Sequence, residues 1–176
     1  MQVEKNILKS SMSYNDDKSK RYLLRLEWEK TKPRACIIMI SAGITNGLFF
    51  DRTTNYILEN VTELDYGSVD ILNLFPSVDV DFGEPSDDEN IKAIDTSAKE
   101  AEIIIFAVGT GHKSDKRVQK RQKDILATLK RYDKKLYCIA DNDGQKFYHP
   151  LCPKVRRWNL QKFDIEELTK KGYEYD

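Results

Sequence analysis

The sequence predicts an α/β fold: three layers, α/β/α, about a central and mostly parallel four-stranded sheet, with one extra strand on the N-terminal side. Two observations carry this prediction. Four short apolar runs, "KPRACIIMI", "GSVDILNLF", "EIIIFAVGTG" and "KLYCIA", have the composition of strands covered on both faces. Segments with apolar residues at helical spacing separate them, and that alternation produces parallel sheets with crossover helices. At 176 residues the chain is long enough to bury a core without disulfides. It divides into a loose polar arm over 1–20 and a single α/β domain over 21–176.

The elements follow in order. "YLLRLEW" (22–28) alternates apolar and polar residues, so a half-buried strand puts Tyr22, Leu24, Leu26 and Trp28 on one face. Pro33 then punctuates the chain before the first fully buried strand. From Thr53 the apolar positions Ile57, Val61 and Leu64 keep helical spacing, and "GSVDILNLF" (67–75) is a buried strand stopped by Pro76. A second helix begins near Ser86, where "SDDE" resembles a capping box, and buries Ile91, Ile94 and Ala98. "EIIIFAVGTG" (102–111) ends in glycines. A third helix runs from about Ser114 to Tyr132 through Val118, Ile125 and Leu129. After "KLYCIA" (135–140), "DNDG" turns the chain, and the tail is a loop followed by a short helix near Asp164 to Lys170.

Composition narrows the function classes. The three cysteines, Cys36, Cys138 and Cys152, are odd in number and widely spaced, which suits reduced thiols in a cytoplasmic protein. With no CxxC pair and only two histidines, a zinc site is not expected. No stretch has the length of a transmembrane helix, and the N-terminus lacks the apolar core of a signal peptide, so no membrane partner is expected. The net charge of zero hides a split. Residues 112–135 carry ten Lys/Arg against three Asp, whereas 78–102 carry nine acids against two Lys. Either one face attracts an anion and another repels it, or two solvated helix faces balance each other.

Ligands of such sheets bind outside the carboxyl ends of the strands. Four segments therefore converge on one cleft: 41–51, 73–76, 109–113 and 147–153. Asn73 interrupts the apolar "DILNLF"; its carboxamide either bonds a neighbouring backbone or reads a planar amide edge such as a nucleobase. His149, in "FYHPLCPKVRRW", is either a surface loop residue or a directed donor to developing negative charge. Lys154, Arg156 and Arg157 suit phosphates, with Leu151 or Val155 as an apolar wedge. Phe49 and Phe50 follow Gly47 and offer a stacking platform. Neighbouring side chains of an extended segment point opposite ways, so the core does not take both.

These segments carry a resemblance. From "RYLLRLEW" through "DRT" to "HPL" the chain looks like the bacterial domain-of-unknown-function family 1643. The order of "NGLFF" (46–50), "DILN" (70–73), "VGTGHK" (108–113) and "YHPL" (148–151) also resembles the uracil-DNA glycosylase superfamily. That resemblance implies roles: Asn73 bonds the uracil edge, Phe49 or Phe50 stacks on the flipped base, and His149 bonds O2 of the leaving uracilate. It places Lys113 and the adjacent glycines near the DNA backbone, and the 151–157 loop in the minor groove. It implies a monomeric, cofactor-free and metal-free hydrolase acting on uracil in single- or double-stranded DNA. The sequence departs from that superfamily in its first motif. "SAGIT" puts Ser41 or Ala42 where relatives have the water-activating Asn or Asp. Asp51, in "DRT", is the nearest carboxylate, and it either serves the water and sugar cation or caps the helix at Thr53. A catalytically inactive relative that binds DNA or uracil is the alternative. A nucleotide hydrolase or an interaction module on the same fold is a third.

Overall fold

The structure, a computed structural model, describes residues 1–45, 47–78, 87–109, 114–162 and 164–165. It is an α/β fold with seven described strands in one mixed sheet. These are β1 (Lys9–Tyr14), β2 (Arg21–Glu27), β3 (Arg34–Ser41), β4 (Ser68–Phe75), β5 (Ile103–Phe106), β6 (Leu136–Ala140) and β7 (Asn159–Lys162). Three α-helices connect the middle strands: α1 (Arg52–Glu63), α2 (Asp88–Glu100) and α3 (Lys116–Leu129).

The strand order is β1-β2-β4-β3-β5-β6-β7. Pairings β4–β3, β3–β5 and β5–β6 are parallel, while β1–β2, β2–β4 and β6–β7 are antiparallel. The expected four-stranded, mostly parallel sheet is thus corrected to a larger mixed one. β1 lies inside the segment read as a loose arm. Its sequence, "KSSMSY", has one aliphatic residue and no alternation to announce it. It forms because the edge of β2 offers unpaired backbone groups that another strand can satisfy. β7 was likewise hidden in a stretch read as loop, and it covers the edge of β6. The expected helix start at Ser86 and most of the expected helix at Asp164 to Lys170 lie outside the described residues.

Side-chain alternation along β3 divides the core. Ala35, Ile37 and Met39 pack with Ile57 and Val61 of α1 and with Val155 and Trp158 of the tail. Cys36, Ile38 and Ile40 pack with Ile94 and Ala98 of α2 and Val118, Ile125 and Leu126 of α3. The chain steps from β3 one way to β4, then back across β3 to β5 and on to β6. Crossovers of one hand must change face when that direction reverses, so α1 covers one face and α2 and α3 the other. Adjacent strands β3 and β5 therefore send their connections to opposite sides, and a crevice opens between their carboxyl ends.

Each α-helix begins on an aspartate whose side chain accepts a backbone N–H: Asp51 from Thr54 at 2.7 Å, Asp87 from Asn90 at 3.2 Å and Asp115 from Arg117 at 2.8 Å. The acidic and basic stretches meet where α2 packs beside α3. Asp95 pairs with Arg131 and accepts from the Tyr132 hydroxyl at 3.0 Å, so the two stretches partly neutralise each other. Several buried charged residues escaped the sequence reading, Asp70 among them. Asp70 of β4 is fully buried and receives two bonds from Arg25 of β2, at 2.7 and 2.8 Å. This bidentate pair ties β2 to β4 beyond their backbone ladder.

Candidate functional site

A cavity of about 470 Å³ occupies the crevice at the β3 and β5 carboxyl ends. That volume lies in the range of small-molecule sites. Its walls come from Met39, Ile40, Ser41 and Gly43 at the end of β3, Asp51, Thr53 and Thr54 at the start of α1, Val108 and Gly109 after β5, and Tyr148, His149 and Cys152. Arg21, the first residue of β2, completes it. Segments 41–51, 109–113 and 147–153 thus each contribute, while none of 73–76 lines the wall.

His149 is held by its surroundings. The loop after β6 is pinned by Asp141, whose Oδ1 accepts from the amides of Asp143 at 3.0 Å and Gln145 at 2.8 Å. Its Oδ2 accepts from the Tyr148 hydroxyl at 2.6 Å. That bond, first among the causes, holds Asp141 below the usual carboxylate range and pushes Tyr148 up to about 12. On the next residue, His149 Nδ1 accepts from the Leu151 amide at 3.2 Å. Nδ1 therefore carries no proton, and the neutral ring keeps its proton on Nε2 as a donor. Burial lowers the His149 pKa, and the Asp51 charge opposes that shift without cancelling it. Gly109 makes the close approach: at φ +70°, a Cβ there would meet His149 Cβ at 2.8 Å.

Asp51 does two things at once. Oδ1 caps α1, and Oδ2 lies against Gly43, where an added Cβ would stand 3.0 Å away. Gly43 thus admits the carboxylate to the cavity edge beside Ser41. Ser41 is exposed at the end of β3. Asn73 is 1% exposed, and neither its Oδ1 nor its Nδ2 has a hydrogen-bond partner among the described residues. It pairs in the β3–β4 register with Met39, which lines the cavity, and alternation along β4 puts Asn73 on the same face as Val69 and Ile71. Its neighbour Asn90 instead bonds the Asn73 and Leu74 carbonyls, at 2.9 and 3.3 Å.

The two phenylalanines separate. Phe50 packs against the α1-face core, and Phe49 is 77% exposed on a rim shared with Ile44 and Leu48. Neither lines the cavity wall. This rim loop leans on β1: Ser10 Oγ donates to the Gly47 carbonyl at 2.8 Å. In the 151–157 segment Leu151, Lys154, Arg156 and Arg157 are exposed, and Arg157 pairs with Glu63 at 3.5 Å. Val155 is 1% exposed and fills the core beside Trp158, which corrects its reading as a wedge. The backbone here is anchored by Asn60, whose Nδ2 donates to the Arg156 carbonyl and whose Oδ1 accepts from the Trp158 amide. Lys113 lies outside the described residues. Among the described residues no helix is long and apolar enough to cross a membrane, and no group of three His, Cys, Asp or Glu could hold a metal ion.

Sequence reasoning missed Arg21 as a cavity residue, and it placed Tyr148 and Cys152 there only as part of the 147–153 segment. For Arg21 there was no signal in the sequence: an arginine out of phase with the apolar face of "YLLRLEW" reads as a solvated strand residue, and its burial depends on the fold. Fold and cavity together define an α/β protein with a ligand-sized cleft at its parallel strand ends. The chain belongs to the family described as Protein of unknown function (DUF1643), which matches residues 21–151. No curated protein and no solved structure matches it.

Proposed function

We propose that the protein is a DNA glycosylase of the uracil-DNA glycosylase type, receiving an extruded uracil and hydrolysing its N-glycosidic bond. The observation that carries this reading is the neutral His149 ring, with Nδ1 committed to the Leu151 amide and Nε2–H left for the cavity it lines. When the glycosidic bond breaks, its electron pair goes to the base, which leaves as an anion with charge on O2. A fixed neutral donor at that oxygen stabilises the anion as it forms. The sugar is left with positive charge, which Asp51 would offset while taking the proton of the water that adds to C1′. Ser41 would hold that water.

Asn73 supports the reading because its donor and its acceptor are both unspent, the pair that a uracil edge requires. A rotamer change of Met39, a flexible side chain, would bring base and carboxamide together. Phe49 would stack on the base, Leu151 would fill the gap left in the duplex, and Lys154 and Arg156 would meet phosphates.

The test is base release from uracil-containing oligonucleotides, read as alkali-labile sites. Wild type should release uracil, and His149→Ala should lower the rate about 10²- to 10³-fold, the usual loss for one such donor. No release with enzyme in excess of substrate overturns the proposal. A second reading, an inactive base- or DNA-binding relative, draws on the bond that ties Asp51 Oδ1 to the helix start. It requires salt-sensitive DNA binding without release.

A further inference from the structure

Among the described residues Arg21 is the one lining the cavity that carries a positive charge, and its bonding there is incomplete. It is 4% exposed, although it heads a strand near the protein surface. Its backbone amide is spent on the Pro76 carbonyl at 2.8 Å, and Nη1 donates to the Gly43 carbonyl at 2.7 Å. Nε is buried without an acceptor, and Nη2 makes no hydrogen bond among the described residues. Those two nitrogens form one edge of the guanidinium, the edge that takes two oxygens of a carboxylate or phosphate side by side.

The described surroundings do not already supply those oxygens. Asp51 and Tyr14 are the ionisable groups close enough to act on Arg21, and neither bonds it. One Asp51 oxygen, Oδ1, is spent on the Thr54 amide. A guanidinium does not lose its proton under ordinary conditions, so burial leaves a permanent cation lacking a bonded anion. The start of α1, with Thr53 and Thr54 on the cavity wall, adds the partial positive charge of a helix N-terminus to the same space. His149, neutral, adds no competing charge.

We propose that the Nε–Nη2 edge of Arg21 binds a phosphate group of the ligand, so the cavity favours a nucleotide unit over a bare base or nucleoside. The oxyanion site rests on Arg21 alone, and its assignment to a deoxyuridine nucleotide rests on the function proposed above. Through Gly43, the same residue links phosphate arrival to the 41–51 loop that carries Ser41 and Asp51.

The experiment is calorimetric titration of the full chain with deoxyuridine, its 5′-monophosphate, its 3′-monophosphate and inorganic phosphate. One of the two monophosphates should bind about ten- to a hundredfold more tightly than deoxyuridine, the range for a charge-assisted bidentate contact. The favoured isomer identifies which backbone phosphate the site takes, and inorganic phosphate should compete with it. Arg21→Lys keeps the charge and removes the forked edge; it should lose most of that preference while still binding deoxyuridine. Equal binding of nucleotide and nucleoside, no binding of either at millimolar concentration, or a full preference kept in Arg21→Lys overturns the proposal. The wild-type comparison decides the matter even if Arg21→Lys does not fold. An Arg21-dependent phosphate preference without uracil release leaves this site standing and removes the glycosylase; release without such a preference does the reverse.

Discussion

Replacing Asn73 by leucine should make the protein more stable and less able to handle its ligand. The side chain is buried on β4 with one donor nitrogen and one acceptor oxygen unpaired among the described residues. An unsatisfied buried polar group costs about 1–3 kcal/mol, so removing both is worth about 2 kcal/mol at the low end. Leucine keeps the branch point of asparagine but is bulkier, and overpacking takes back about 1 kcal/mol. The net gain is about 1 kcal/mol, which raises the melting temperature by about 2–4 °C in a chain of this size. Thermal unfolding followed by circular dichroism, with urea unfolding as a check, measures it. Base release or nucleotide binding should fall in the same variant, because the donor–acceptor pair is gone. A melting temperature lowered by several degrees would refute the reasoning, since it would mean that the carboxamide already has native partners. Opposite movement of stability and activity is the signature of a group kept for a ligand.

Three further outcomes follow from the same site. Asp51→Asn should keep the helix cap and leave stability within a few tenths of a kcal/mol, while Asp51→Ala should cost about 1 kcal/mol; both should lose base release, which separates capping from chemistry. Gly109→Ala places a side chain at positive φ against His149, so it should lower stability by more than about 1 kcal/mol in urea unfolding and reduce activity. Acidification should weaken both stability and activity through His149. Its folded pKa lies below the ordinary value of 6.5, so the unfolded chain binds the proton first. That stability is fully present above about 6.5, falls as the pH drops through the lowered folded value, and shows in pH-dependent melting as a limb missing from His149→Gln.

The buried parallel strands were legible because β-branched runs between helical periods have few other uses. Helix bounds were legible to within a few residues: α1 begins at Arg52 on the Asp51 cap, and α3 stops at Leu129, where a 3₁₀ turn takes over the last residues. The sheet edges were not legible. "KSSMSY" and "NLQK" carry almost no apolar signal, and they are strands because a neighbour needed its edge covered. Buried charge was equally hidden: Asp70 reads as an interruption in an apolar run until Arg25 is seen on the adjacent strand. At the site, His149, Asp51 and Ser41 could be chosen from loop position alone, since strand ends gather there whatever the register. Arg21 could not, because its place in the cavity depends on β2 lying antiparallel beside β4.

The two polar edge strands have a consequence for anyone who shortens this protein. The family-wide stretch, 21–151, stops short of both β1 and β7. A fragment cut to that stretch would bare the hydrogen-bonding margins of β2 and β6, two strands with apolar interiors and open ladders. Such margins recruit other chains and lead toward aggregation. β1 and β7, rich in serine, lysine and amide side chains, act as guard rails that let an apolar sheet stay dispersed in water. The same cut would also remove the Ser10 brace from Gly47, so insolubility and a slack site rim would arrive together.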